Sequence, residues 1–524
     1  MLSIEGDGSA WFATCSPFSP ELYRTMKILL IRPPIAYVDF STGFFPFSIY
    51  TMFMTRYPPM GLMYLASLLR QDGHHVALLD AEAEELDVPS AYLRMKPFQP
   101  DLIVGNVNIY NSYKNFEDLI RLKEDLRARL VVRGHFPGQY PEETIARPEV
   151  DVVMTGKGFT SITGLARALE QGEDLEPVKG IWFRRNGEVV RTPVEGPLRD
   201  LDLLPFPARD LVDQRLYVTN LSYRRPFTTM FASLGCPYNC TYCTDRKVPY
   251  SSRSVASVMA ELEECAGRFG IREVAFLDPT FTVRRQWVMD LCRSMKLSKL
   301  DLTFTMRTRA DLLDQEMVQA LAEAGCVRIS LGIESGDPEI LKTMNRVPDL
   351  TLIERAVSWI HKEGIMAFGY FMIGNKGETH QSLERTLRFT ARLPLHFAQF
   401  FQTIPLLGTE VLENSKEHFG YDIWLRISRG HYPSPDEFRS HQTALSLEDL
   451  KKWSRRLYLN FYLHPRRWRY LLTLKYLPAY LLRQLEILFL VGRLVALRRI
   501  RHRYPAFLLS RYPHAKNGGP GFER

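Results

Sequence analysis

The stretch Gly235-Cys236-Pro237-Tyr238-Asn239-Cys240-Thr241-Tyr242-Cys243 decides how this chain is read. Three thiols stand at C-x3-C-x2-C spacing directly after the mostly apolar run 229–234, which predicts a buried strand feeding a loop at Gly235. Three thiolates crowded on one loop suit a soft metal centre, and an iron–sulfur cluster is the usual tenant. A [4Fe–4S] cluster is ordinarily held by four cysteines, so three leave one iron open to another ligand. A structural zinc site would want a fourth Cys or His nearby. None lies between Tyr217 and Glu264 outside the motif.

With an aromatic residue, Tyr242, ahead of the third cysteine, the motif resembles the signature of the radical S-adenosylmethionine (SAM) superfamily. The resemblance implies that Cys236, Cys240 and Cys243 hold a [4Fe–4S] cluster. It also implies that SAM chelates the open iron through its amino and carboxylate groups. An electron from the cluster then splits SAM to a 5′-deoxyadenosyl radical.

Downstream, apolar runs at 228–234, 273–277, 301–306, 327–333, 367–373 and 397–404 alternate with helical stretches such as 255–269, 286–296 and 314–324. Six strand–helix repeats predict a partial (β/α)6 barrel over 227–415, with its chemistry at the strand carboxyl ends. A zwitterionic ligand needs carboxylate and hydroxyl acceptors and a bare backbone edge. The resemblance implies SAM contacts from Tyr242, from Asp278 and Thr280, from Glu334 and Ser335, and from Gly374. For Glu334 the alternative is a helix cap or an ion pair with Arg307 or Arg309. The residues of catalysis proper stay unassigned.

Upstream, over 26–195, short apolar runs at 27–31, 76–80, 101–105, 130–132 and 150–154 alternate with helical stretches. That order predicts a doubly wound, Rossmann-like parallel sheet with its ligand at the strand carboxyl ends. No G-x-G-x-x-G follows the first strand, which weakens a dinucleotide reading. The segments Pro58-Pro59-Met60-Gly61-Leu62, Gly73-His74-His75-Val76 and Gly134-His135-Phe136-Pro137 resemble the cobalamin-binding domain that precedes many radical SAM domains. The resemblance implies corrin contacts from Pro33, Pro34, Asn108, Gly134, His135, Gly156 and Gly158. Two features depart from the pattern: the D-x-H-x-x-G motif is absent after the first strand, and Thr155-Gly-Lys-Gly-Phe159 stands where relatives often carry G-E-G-E. His74 and His75 read as structural.

A chain of 524 residues has room for about three domains. Residues 1–25 form an extension without an assigned role, and the Pro-rich 196–226 reads as a linker. Seven cysteines in this length make no disulfide framework, and no secretory leader is evident, so a reducing cytoplasm is expected. The net charge of +8 is uneven: 15 Lys/Arg and one acid, Glu486, lie between Lys451 and Tyr512. The region 416–524 therefore reads as a basic helical tail. Its apolar run 485–497 is too short to span a bilayer and contains Arg493. Such a tail suits either packing on the barrel or a peripheral contact with an anionic inner-membrane surface. Nucleic acid is not expected, because the Leu/Ile/Phe runs would be wasted on it.

The expectation is an α/β chain with a cobalamin-binding domain, a radical SAM barrel and a basic tail. The resemblance implies a C-methyltransferase with an electron donor such as flavodoxin or ferredoxin, and the basic, aromatic tail suits an apolar or amphiphilic substrate, lipid-like or tetrapyrrole. An anaerobic oxidative cyclase of the same architecture is the alternative, and a non-catalytic corrinoid or cluster sensor is the rival from another class. A methylthiotransferase acting on RNA would want a second three-cysteine motif, and none is visible.

Overall fold

The computed structural model describes residues 25–34, 55–219, 221–474 and 478; the extension 1–25, apart from residue 25, and the apolar run 485–497 lie outside them. Lys27–Arg32 (β1) is apolar at every interior position and so buries both faces, as a central parallel strand must. Ile28 and Leu30 pack under the helices Met60–Gln71 and Ile162–Gln171, whereas Leu29 and Ile31 pack under Ser112–Leu126 on the other face. The other strands of this sheet are β2 (His75–Asp80), β3 (Leu102–Asn106), β4 (Arg129–Arg133), β5 (Val152–Met154), β6 (Ile181–Arg185) and β7 (Glu188–Arg191). Their order is β2-β1-β3-β4-β5-β6-β7, and the first five strands are parallel. Because β1 lies between β2 and β3, the connections diverge there, and a crevice opens beyond the strand carboxyl ends.

The antiparallel β6–β7 hairpin was not among the predicted strands. Its signal is Asn186-Gly187, a two-residue loop with both residues at positive φ (+52° and +85°). That is the type I′ geometry whose twist matches the flanking strands.

The second sheet has six parallel strands. These are β8 (Phe227–Met230), β11 (Glu273–Phe276), β12 (Thr303–Thr308), β13 (Cys326–Glu334), β14 (Met366–Ile373) and β15 (Phe397–Gln402), in the order β15-β14-β13-β12-β11-β8. The two short strands between β8 and β11, β9 (Ser233–Leu234) and β10 (Ser251–Ser252), pair with each other in a separate ribbon. The expected single strand 228–234 is thus corrected. The chain leaves the sheet after Met230 because the buried Asp278 carboxylate accepts the Ala232 N–H (3.1 Å) and the Ser233 hydroxyl. Alternate residues such as Phe304, Met306, Ile329 and Leu331 face the surrounding helices, and the residues between them face the barrel lumen.

An open barrel leaves an edge on β15, and unpaired edge groups invite association. Here the helix Leu447–Leu463 lies along that edge. The Tyr462 hydroxyl accepts the Ala398 N–H (3.2 Å) and donates to the Ala398 carbonyl (2.7 Å), while the Tyr458 hydroxyl accepts the Phe400 N–H (3.2 Å). Buried Arg467 then donates to the carbonyls of Thr390, Leu393 and Leu395 at the end of the helix His380–Arg392. The described part of the tail therefore packs on the barrel. It leaves Leu463 (70% exposed) and Leu472 (73%) facing outward. Among the described residues no helix is long and apolar enough to cross a membrane.

Candidate active site at the carboxyl ends of the two sheets

The cysteine loop is pinned at its entrance. Gly235 sits at φ +75°, and a Cβ there would lie 2.1 Å from the Pro249 carbonyl oxygen, so only glycine fits. The Cys236 N–H donates to the Val248 carbonyl (3.1 Å), and its Sγ lies 3.6 Å from the Thr280 hydroxyl. The Cys243 Sγ accepts the Asp245 N–H (3.4 Å), and burial pushes its thiol up to about 11.

Two guanidinium groups converge on Cys240. Arg309 Nη1 lies 3.9 Å and Arg346 Nη1 4.0 Å from its Sγ. Arg309 also stacks over the Tyr238 ring (4.0 Å) and pairs with Asp311. Two cations beside one sulfur suit a thiolate, the form that ligates metal. Among the described residues no three His, Cys, Asp or Glu side chains converge on a point that one ion would occupy. Three cysteines on one loop, one of them beside two guanidinium groups, make a thiolate donor set of the kind an iron–sulfur cluster takes.

The end of β13 supplies the acid. Glu334 is a non-glycine residue at φ +67°, beyond a register shift between Gly332 and Glu334. This left-handed turn folds its side chain back over Gly332, where a Cβ would lie 2.5 Å from Oε1. There Oε1 accepts the Tyr242 hydroxyl (2.8 Å). Burial raises the Glu334 carboxyl, and Arg346, Tyr242 and Arg309 oppose the rise. Sequence reasoning named Arg307 or Arg309 as partners for Glu334 and missed Arg346. Arg346 returns from just beyond the helix Pro338–Thr343 that follows β13 and also donates to the Gly332 carbonyl.

The other expected SAM residues divide. Thr280 stands beside Cys236. Asp278 spends its carboxylate on Ala232 and Ser233, and burial pushes it up to about 6. Ser335 is fully buried between Thr386 and the Asp337 N–H, each at 3.2 Å. Gly374 (φ +84°) gives its N–H to Glu378, whose carboxyl burial lifts to about 7.

At the first sheet, an open depression of about 310 Å³ is lined by residues that include Arg32, Gly61, Asn106, Arg133, His135 and Lys157. It would take one edge of a corrinoid. Arg133 is buried, donates to Asn106 Oδ1 and to the Lys157 carbonyl (3.2 Å each), and leaves Nε without a partner among the described residues. Burial pulls its pKa down to about 10. Burial also lowers His135 and Lys157; Arg133 lowers both further, and Asp245 raises both. An orphaned buried donor among basic groups fits a ligand rich in amide and phosphate acceptors, which the periphery of cobalamin is.

Gly134 and Gly156 line the same depression. Gly134 (φ +123°) approaches the Val107 carbonyl so closely that a Cβ would lie 2.3 Å from its oxygen. Gly158 donates its N–H to Glu195 (2.9 Å), a carboxylate at the end of the first domain that also accepts from Thr160 (2.8 Å). Asn108 accepts the Asn111 N–H on Oδ1 (2.9 Å). Pro33 and Pro34 follow β1, where Asn115 Nδ2 donates to the Pro34 carbonyl (3.4 Å).

Comparison with known proteins agrees with this geometry. Residues 230–390 match the family model described as "Radical SAM superfamily", and residues 52–166 match "B12 binding domain". An uncharacterized methyltransferase of Pyrococcus horikoshii is 30% identical over 457 residues, covering 84% of this chain and 94% of the relative. Cytidylyl-2-hydroxyethylphosphonate methyltransferase of Streptomyces wedmorensis is 26% identical, over 75% and 82%. Anaerobic magnesium-protoporphyrin IX monomethyl ester cyclase of Rubrivivax gelatinosus is 26% identical, over 63% and 61%. Among solved structures, the methyltransferase TsrM of Kitasatospora setae with cobalamin and [4Fe–4S] cluster bound superposes with TM-score 0.59. It is 20% identical, over 75% of this chain and 79% of that one, a likeness of fold.

Proposed function

Because the chain belongs to the cobalamin-dependent radical SAM family, and so is an enzyme whose cofactors are a [4Fe–4S] cluster, SAM and cobalamin, we propose that it methylates an unactivated carbon of an apolar or amphiphilic small molecule. The observation that carries this is Asp245. Two residues beyond Cys243, it acts electrostatically on His135 and Lys157 in the corrin depression, so the end of the cysteine loop lies near that depression. The two relatives named as methyltransferases are matched over more of their length than the Rubrivivax cyclase.

In this reading Cys236, Cys240 and Cys243 hold the cluster, and Arg309 and Arg346 offset its charge. Glu334, oriented by Tyr242, accepts from a polar group of SAM, with Thr280 beside it. Gly134, His135 and Gly156, with Arg133 and Lys157, hold one edge of the corrin. Gly158 keeps its loop in place, and Pro33, Pro34 and Asn108 shape the strand ends above it. When bound, the cluster with SAM supplies a carbon radical and the corrinoid a transferable methyl group. The chain's own residues orient these groups and keep water from them. A flavodoxin- or ferredoxin-type donor supplies the electron. Leu463 and Leu472, among basic neighbours, offer a peripheral contact to an anionic membrane surface.

The test is anaerobic turnover of reconstituted enzyme with methyl-deuterated SAM and an extract of small metabolites. A product carrying the deuterated methyl supports the proposal. An oxidised, unlabelled product would move the assignment to a cyclase. Absence of 5′-deoxyadenosine under strong reductant would leave a sensor or carrier.

A further inference from the structure

The lumen of the barrel holds a charge that the cofactor sites do not use. On β12, Phe304 and Met306 face the helices, so Thr305 and Arg307 face the lumen. A central-strand residue facing a filled core would be buried, yet Arg307 is exposed. Its guanidinium makes no hydrogen bond, ion pair or ring contact among the described residues. The neighbouring arginines are all engaged: Arg309 with Asp311, Arg328 with Thr305 and the Leu221 carbonyl, and Arg346 with the Gly332 carbonyl.

Beyond Ser330, which pairs with Arg307 in register, the lumen wall changes character. Tyr370 and Met372 on β14 and Phe401 on β15 form an apolar wall; Met372 and Phe401 are in register, the Tyr370 and Phe401 rings are 5.8 Å apart, and Phe401 is 40% exposed. Tyr57, from the segment paired with Val218, reaches the same space. Burial raises its hydroxyl, while Arg328 and Arg307 lower it. Such a guanidinium is a strong donor to carboxylate and phosphate oxygens, and an apolar wall beside it takes a hydrophobic body.

We infer that the substrate carries an oxyanion of carboxylate or phosphate type, received by Arg307, on an apolar body that packs against Tyr370, Met372 and Phe401. This rests on the reading of the lumen as the substrate site of a radical SAM enzyme. The test reads binding without turnover, so it stands apart from that reading. Anaerobically reconstituted holoenzyme is titrated by calorimetry with naphthaleneacetate, naphthyl phosphate and neutral naphthaleneacetamide.

The wild type should prefer at least one acid over the amide by roughly tenfold or more, the scale of one charge-assisted hydrogen bond. Whichever acid binds tighter identifies the type of oxyanion. Arg307→Met should erase the preference, and Arg307→Lys should keep part of it, which guards against a folding defect in the first variant. Arg293→Met, the same charge change on an outer helix, should keep all of it. Equal binding of acids and amide in the wild type, a preference that survives Arg307→Met, or one lost in Arg293→Met would overturn the inference. If 5′-deoxyadenosine never forms but the charge preference holds, the proposed reaction falls and the anion site stands.

Discussion

The Tyr242 hydroxyl donates to Glu334 Oε1 at 2.8 Å and so joins the cysteine loop to the end of the fourth barrel strand. Glu334 reaches that point only because its backbone adopts φ +67° beyond the β13 register shift. Strain of this kind costs about 1–3 kcal/mol and persists only where the surrounding structure over-determines the position. Tyr242→Phe should therefore keep the cluster, read as unchanged iron content, while SAM binds roughly tenfold more weakly by equilibrium dialysis. The pH dependence has a definite sign. With Glu334 as the SAM acceptor, its ionised form binds more strongly than its neutral form, so binding weakens as pH falls through its raised pKa. Removing the tyrosine removes a group that lowers that pKa, so the acid limb should move to higher pH. An unmoved limb would argue against Glu334 as the SAM acceptor.

Arg346 faces the Cys240 sulfur at 4.0 Å, and Arg309 does so at 3.9 Å. Positive charge and hydrogen bonds at a sulfur stabilise the reduced cluster. Arg346→Met should lower the reduction potential by on the order of 60 mV, which is one decade in a one-electron equilibrium. A redox titration followed by electron paramagnetic resonance reads this directly. An unchanged potential would mean that Cys240 does not ligate the cluster.

Gly235→Ala tests the loop entrance. The new Cβ would sit 2.1 Å from the Pro249 carbonyl oxygen at a backbone angle that disfavours any side chain. The expected outcome is iron content well below wild type after reconstitution, with the helical circular-dichroism signal retained. Full iron loading would show that the loop tolerates another path.

Tyr462→Phe tests the cover of the β15 edge. One hydroxyl serves both backbone groups of Ala398, so its loss should cost about 1–3 kcal/mol, read as a lower urea midpoint. SAM affinity should not change, because the residue lies on the outer edge of the barrel. Weakened SAM binding would couple that edge to the active site.

Much of this arrangement was legible in the amino-acid order. Runs such as Lys27–Arg32, apolar at every interior position, announce parallel strands buried on both faces, and the thiol spacing is local enough to name its ligand class. The β6–β7 hairpin is equally open to reading, from the turn pair Asn186-Gly187. Other features had no local signal. The Asn108 side-chain oxygen accepts from Asn111 N–H, a contact that nothing in the flanking residues announces. Arg346 reaches Cys240 from 106 residues away.

The residue order by itself determined which elements form, and which loop carries the chemistry, because burial period and donor type are properties of short stretches. It did not determine which polar groups remain unspent. Arg307 and Arg309 stand two residues apart at the end of one strand. Yet Arg309 meets Asp311 and the Cys240 sulfur, while Arg307 meets no partner among the described residues. Only the folded chain decides that, because a side chain's partner is whatever distant segment the packing brings within about 3 Å of it.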